Sequence, residues 1–222
     1  MIKQLVNKFN KKKLPELPRV LFEGKIIVVL SEEVAEKAVD FLLSQPILGI
    51  DSETRPCFTK GRSHSVALLQ VSTYDTCFLF RLNHLKSSPA VKRLLEDTTV
   101  LKVGLSLKDD FMQLSKRFAF KPGFFVDLQH EMKNIGIEDM SLAKLYANIF
   151  GMRISKREQL SNWEADVLSE KQKRYAATDA WACIMLFEEY VRLKETGEYE
   201  LEITPEPIKP PHNVQDNTTE EG

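Results

Sequence analysis

The chain has 222 residues, of which 43% are hydrophobic, and a formal net charge of −1 at pH 7. This length and apolar content fit one globular domain with a sizeable core and exclude a second catalytic domain. The near-neutral charge excludes a protein that is basic throughout, so any affinity for nucleic acid has to come from local basic patches.

Three segments are predicted: a basic N-terminal leader over residues 1–24, one domain over residues 25–200, and a disordered tail over residues 201–222. The tail is rich in proline and polar residues, which cannot form a packed core. Several lysines precede the first acidic residue of the leader, and the pattern leaves open whether they bind phosphate or are merely solvated. These are Lys3, Lys8 and Lys11–Lys13.

Hydrophobic periodicity and cap signals predict an alternation of strands and helices along the domain. The predicted strands are Lys25–Leu30, Ile47–Asp51, Val66–Thr73, Cys77–Arg81 and Val100–Gly104. The predicted helices are Ser31–Ser44 with Ser31 as N-cap, Pro89–Glu96, Leu107–Phe118, one from Asp127 as N-cap through Lys133, and Ser169–Glu195. An order of this kind is typical of an α/β fold with a central sheet and helices on both of its faces.

Two carboxylates follow directly on a buried strand. The apolar run Ile47–Ile50 continues into Asp51, Ser52 and Glu53. Because side chains alternate along a strand, Asp51 and Glu53 share one face and Ser52 takes the other.

Asp110 falls on the buried side of a predicted helix. Apolar residues recur around it at helical spacing, namely Leu107, Phe111, Leu114 and Phe118. Asp110 lies on or beside this stripe, whereas its neighbour Asp109 does not. A helical aspartate can also pair with a surface lysine, and that interpretation stays open for Asp110 taken alone.

Asp179 and Tyr175 share a face of the long C-terminal helix. At about 100° per residue, Asp179 projects between Leu186 and Tyr190, and Tyr175 stands one turn before it. Buried carboxylates take up protons unless a cation or hydrogen-bond donors compensate them, so their convergence predicts a divalent metal site. Oxygen ligands favour magnesium or manganese over zinc, and the four histidines and three cysteines are dispersed along the chain.

The segments that carry these residues resemble the three motifs of the DEDD family of 3′→5′ exonucleases. They are Asp51-Ser52-Glu53, Lys102-Val103-Gly104 followed by Asp110 and Leu114, and Gln172 through Ala180. Tyr175 marks the tyrosine subclass. The histidine subclass carries its histidine one residue earlier, where this chain has Arg174.

Within the subclass, residues from about 25 to 195 are most similar to Werner-type exonuclease domains, and ribonuclease D is the next nearest relative. The likeness is carried by Pro56, Val66–Val71, Cys77–Phe80 and Ser161-Asn162-Trp163. It implies a ribonuclease H-like fold, with a mixed central β-sheet and helices on both faces. It also implies hydrolysis of DNA from the 3′ end, with release of nucleoside 5′-monophosphates.

The resemblance further implies two divalent ions, Mg²⁺ or Mn²⁺, and a role for each site residue. Asp51 would bridge both ions, and Glu53 and Asp179 would complete the coordination of the ion beside the attacking water. Asp110 would hold the second ion, largely through water, and Tyr175 would orient the attacking water. Two alternatives stay open: an exoribonuclease like ribonuclease D, and a non-catalytic module that binds nucleic acid or protein.

Basic and aromatic residues in loops beside the motifs are predicted to bind the substrate. They are Lys60, Arg62, Arg153, Lys156, Arg157 and Trp163. The expected partner is nucleic acid, DNA before RNA, with a helicase or polymerase acting in trans because no P-loop is present. The sequence does not indicate an oligomeric state.

No apolar run reaches the roughly 18 residues of a membrane span, and membrane partners are not expected. Cys57, Cys77 and Cys183 form no CxxC pair, which fits a reducing compartment. The expected location is therefore the cytoplasm, or the nucleus if the source is eukaryotic.

Overall fold

The computed structural model describes residues 2–59, 61 and 63–205. Its strands are β1 (Lys3–Val6), β2 (Lys25–Val29), β3 (Ile47–Thr54), β4 (Val66–Ser72), β5 (Thr76–Arg81), β6 (Leu101–Gly104), β7 (Phe125–Asp127) and β8 (Tyr199–Glu202). Its α-helices are α1 (Glu32–Leu42), α2 (Leu82–Leu85), α3 (Pro89–Glu96), α4 (Leu107–Leu114), α5 (Leu128–Lys133), α6 (Leu142–Phe150) and α7 (Glu170–Thr196). A 3-10 helix spans Lys11–Glu16.

A six-stranded sheet has the order β2-β5-β4-β3-β6-β7. Strand β4 runs antiparallel to both of its neighbours, and the remaining pairs are parallel. The predicted mixed central sheet is therefore confirmed. Strand β3 lies inside the sheet between β4 and β6, so the carboxylates at its end lie within the molecule and not at an edge.

Helices cover both faces of the sheet, as predicted. Apolar side chains of α1, α3 and α4 pack with strands β3, β4 and β5 on one face. On the other face, α7 crosses strands β2 to β6 and packs against α5 and α6. Each face therefore buries its own apolar cluster, and the sheet separates the helix that carries Asp110 from the helix that carries Asp179.

Several element ends differ from the sequence-based prediction. Strand β3 continues through Thr54, because β4 pairs with it beyond Asp51, with a register shift between Glu53 and Thr54. Helix α4 ends at Leu114, four residues before its predicted end, and Phe118 still reaches the core. Ser31 precedes α1 as predicted, but its side chain makes no capping hydrogen bond.

Residues 3–24, predicted as a leader, pack against the rest of the chain. Strand β1 pairs in parallel with β8, and the side chain of Leu5 on β1 is buried. The backbone of Val20 donates to the Arg153 carbonyl oxygen at 3.1 Å, and that of Phe22 donates to the Thr178 hydroxyl at 3.0 Å. The N-terminal segment therefore contacts both helix α7 and the loop around residue 153.

The predicted tail begins inside β8, which ends at Glu202, and residues 206–222 lie outside the described part of the chain. Among residues 2–59, 61 and 63–205, no helix has the length and apolar content required to cross a membrane.

Candidate active site

Three of the four predicted carboxylates converge between β3 and α7. Asp51, Glu53 and Asp179 each present one carboxylate oxygen, and these oxygens lie within 4.8 Å of one another. Strand β3 directs Asp51 and Glu53 to the face that α7 covers. On α7, Tyr175 lies one turn before Asp179 and lines the same cavity, whose volume is about 280 Å³.

The close contact of β3 with α7 depends on Gly49. A Cβ atom at this position would lie 1.9 Å from the carbonyl oxygen of Ala180, the residue next to Asp179. Glycine is therefore the residue that lets the helix backbone approach the strand. Sequence analysis did not identify this role, although a glycine within an apolar strand is a signal of close backbone approach.

Burial raises the pKa of every carboxyl group in the cluster. Burial, followed by the charges of Asp110 and Asp179, raises the pKa of Asp51 well above its ordinary value. Burial also raises the pKa of Asp179 to about 7, against the lowering effect of the Tyr175 hydrogen bond and of Lys156. Burial, followed by the charge of Asp51, also raises the pKa of Glu53. The site thus holds more negative charge than its own hydrogen bonds compensate.

Asp110 lies at the side of this cluster and is held by Ser52. The Ser52 hydroxyl donates to Asp110 Oδ1, as the alternation along β3 allows. Burial raises the pKa of Asp110 to about 6. The helix phase was predicted correctly, since Asp110 is half-buried and Asp109 is exposed. The Ser52 contact was not predicted.

Asp127 fixes the start of the helix that carries Asp110. Its side chain accepts from the backbone of Gln129, which confirms the predicted cap of α5. It also accepts from the backbone nitrogens of Ser106 and Leu107, at 3.0 and 2.9 Å. One carboxylate therefore ties together the first turns of α4 and α5.

Gln70 is a further contact of Asp51 that sequence analysis missed as a site residue. It is fully buried on β4, directly opposite Asp51 in the strand pairing, and its Nε2 donates to Asp51 Oδ2 at 3.4 Å. The available signal was a lone amide within an otherwise apolar central strand, which requires a polar partner when buried.

The side chain of Trp163 is completely buried and presents no surface to a substrate. Its ring lies 6.0 Å from that of Tyr175, centroid to centroid, so it supports the position of Tyr175 instead. The prediction that Trp163 binds substrate is therefore wrong.

Arg174, at the position of the histidine in the other subclass, donates to the Phe22 carbonyl oxygen at 2.7 Å.

Of the predicted basic residues, Lys156 lines the cavity that holds the carboxylates. Arg157 is exposed nearby, whereas the Arg153 guanidinium donates to the Leu17 carbonyl oxygen at 2.9 Å. Lys60 and Arg62 lie outside the described residues. Among the basic residues that the structure describes, Lys156 is thus the one that lines the cavity of the carboxylates.

The chemistry of this donor set fits a divalent metal ion. Buried carboxylate oxygens within 4.8 Å of one another can share one cation. Asp179 Oδ1 is buried, and no hydrogen-bond partner for it occurs within the described part of the chain. A cation would satisfy this oxygen and offset the cost of burying the charges.

Comparison with known proteins agrees with the fold and with the site. Residues 26–192 match the family model described as a 3′-5′ exonuclease. The bifunctional 3′-5′ exonuclease/ATP-dependent helicase WRN of Mus musculus is 29% identical over 82% of this chain and 14% of its own length. Exonuclease 3′-5′ domain-containing protein 2 of Drosophila melanogaster is 35% identical over 66% of this chain and 25% of its own length. The chain thus spans a quarter or less of these two relatives.

Solved structures share the fold at lower identity. The Aedes aegypti Nibbler EXO domain matches with a TM-score of 0.69 and 23% identity, covering 78% of this chain and 90% of that domain. Escherichia coli RNase D matches with a TM-score of 0.66 and 19% identity, covering 78% of this chain and 47% of that protein. A mixed sheet that holds a carboxylate cluster beneath a crossing helix therefore defines a ribonuclease H-like nuclease fold. The chain belongs to the 3′-5′ exonuclease family.

Proposed function

We propose that this protein is a metal-dependent exonuclease that removes nucleoside 5′-monophosphates from the 3′ end of DNA. The observation that carries the proposal is the cluster of Asp51, Glu53 and Asp179, whose oxygens lie within 4.8 Å of one another beside Tyr175. A non-catalytic module has no comparable reason to keep these carboxylates buried together, because the burial raises the pKa of each of them.

Asp51, Glu53 and Asp179 would hold one divalent ion, and Asp110 would contribute to a second. When bound, two such ions would supply an activated water and offset charge on the entering and leaving oxygens. Tyr175 would act as a hydrogen-bonding group and not as a base, because burial and the neighbouring carboxylates raise its pKa far above its ordinary value. Its hydroxyl would orient the attacking water, and Lys156 would bind the scissile phosphate.

The preference for DNA is supported by sequence relatives. DNA polymerase I of Aquifex aeolicus is 30% identical over 72% of this chain and 26% of its own length. The RNase D structures are at most 21% identical to this chain and therefore support only the fold. Magnesium or manganese is proposed because every clustered ligand is an oxygen.

The test is a gel assay of 5′-labelled DNA and RNA, single-stranded or with recessed 3′ ends, in Mn²⁺, Mg²⁺ or EDTA. We expect a ladder that shortens from the 3′ end of DNA, depends on the metal and disappears in Asp51→Asn. The variant should melt in EDTA no earlier than the natural protein, since it removes one of several repelling carboxylates. Cleavage of RNA alone would favour the exoribonuclease, and normal turnover by Asp51→Asn would contradict the metal-binding role.

A further inference from the structure

A second concave surface adjoins the catalytic cavity. We define the basic groove as the surface formed where the 3-10 helix meets the loop that follows α6. It is lined by Lys11, Leu14, Pro15, Arg153, Ile154, Ser155, Lys156 and Arg157. Ile154 and Lys156 also line the catalytic cavity, so the two surfaces are continuous.

The charge of the basic groove is of one sign. Four of its described lining residues are cationic, and no described lining residue is acidic. Lys11 and Arg157 are exposed, and neither forms an ion pair with any residue in the described ranges. Glu16 and Glu158 are the acidic residues nearest in sequence, and they do not line the groove. The chain as a whole carries a net charge of −1, so this is a local concentration of positive charge.

The 3-10 helix is held in place against this surface. Asn10 caps it, accepting from the backbone of Lys12 at 3.0 Å. After the helix, the Pro18 carbonyl oxygen accepts from the Arg153 backbone at 2.9 Å, and Arg153 in turn donates to Leu17 through its side chain. Three residues per turn place Lys11 and Leu14 on the same side of this helix, which agrees with their shared presence in the groove.

We propose that the basic groove binds phosphates of the single-stranded DNA that precedes the 3′ end in the catalytic cavity. The proposal rests on the proposed function, which places the 3′ end beside Asp51 and Asp179. Lys156 lies where the two surfaces meet, and Lys11 and Arg157 extend the positive charge away from the catalytic cavity. No aromatic side chain lines the groove within the described chain, so it would contact backbone rather than stack bases.

The test measures binding without cleavage. The natural protein and the double variant Lys11→Gln/Arg157→Gln are titrated in EDTA into fluorescein-labelled single-stranded DNA of about 4 and about 16 nucleotides. We expect the variant to bind the longer strand about tenfold more weakly, with a smaller loss for the shorter strand. The slope of log Kd against log salt should fall by up to about 1.4, since each phosphate contact on a single strand contributes about 0.7.

Two further variants exclude general effects. Lys37→Gln/Lys92→Gln removes the same charge from exposed positions on α1 and α3 and should leave the salt slope unchanged. Lys11→Arg/Arg157→Lys keeps the charge and should restore binding of the longer strand.

Three outcomes would overturn the proposal. They are an unchanged salt slope in the double variant, an equal loss for both strand lengths, and a loss seen with RNA of the same length but not with DNA. None of these outcomes depends on turnover. The assay with Asp51→Asn therefore tests the proposed function separately.

Discussion

Tyr175 is the site residue whose role is most open to a single-atom test. Its hydroxyl lies among carboxylates, and its hydrogen bond lowers the pKa of Asp179 against the larger raising effect of burial. Its ring packs against Trp163, and this packing does not require the hydroxyl. The hydroxyl therefore acts on the carboxylate cluster and the ring on the packing, and substitution can separate the two roles.

We expect Tyr175→Phe to reduce kcat by about ten- to hundredfold, a smaller loss than that of Asp51→Asn, because one orienting hydrogen bond is removed. Loss of the bond to Asp179 should also raise the pKa of that carboxyl. The acid limb of the profile of kcat/KM against pH would then move to higher pH. A rate close to that of the natural protein, or an acid limb that does not move, would assign Tyr175 a packing role only.

At the scale of elements, the approach of α7 to β3 decides whether the carboxylates meet. Gly49→Ala would place a methyl group 1.9 Å from the Ala180 carbonyl oxygen, so α7 would have to move. We expect a loss of about 1–3 kcal/mol in the free energy of unfolding, typical of overpacking. Because a misplacement of about 1 Å can cost a hundredfold in rate, kcat/KM should fall by about that factor.

Ala38→Val is a matched control for this prediction. Ala38 is buried on α1, on the opposite face of the sheet, so its enlargement should lower stability without separating Asp51 from Asp179. Both variants are compared by urea unfolding and by turnover at a temperature at which circular dichroism shows them folded. If folded Gly49→Ala kept the turnover of the natural protein, the close approach would not control the site.

The elements that sequence analysis predicted share a strong local pattern. The apolar run of β3 and the spacing on α7 identify their buried faces directly, and Asp51, Glu53, Asp179 and Tyr175 follow from those faces. The elements that it missed depend on distant partners. Strand β1 has only four residues and exists through pairing with β8, nearly 200 positions later. Likewise, no local pattern in β3 reveals that Ser52 would contact Asp110.

For the whole molecule, the metal site should govern how stability depends on pH. A carboxyl group in the unfolded chain has a pKa near 4. In the folded protein the pKa values of Asp110 and Asp179 are raised to about 6 and about 7, and burial raises that of Asp51 well above its ordinary value. A raised acid pKa means that the folded state binds protons more tightly. The resulting stability is fully present below about pH 4 and is lost as pH rises through the folded values.

In EDTA, we therefore expect the shifts of Asp110 and Asp179 alone to lower the free energy of unfolding by about 1–2 kcal/mol between pH 6 and 8, equivalent to about 2–8 °C in Tm. Mn²⁺ binds the deprotonated carboxylates, so the rise in Tm that it causes should be larger at pH 8 than at pH 6. The double variant Asp51→Asn/Asp179→Asn should flatten the dependence of stability on pH in EDTA and abolish the rise in Tm caused by Mn²⁺. It removes two of the carboxyl groups that titrate and that bind the ion. A Mn²⁺ effect that is equal at the two pH values, or that persists in the double variant, would place the stabilising ion elsewhere. The same melting series thus separates a metal site at these carboxylates from general binding of cations to an acidic surface.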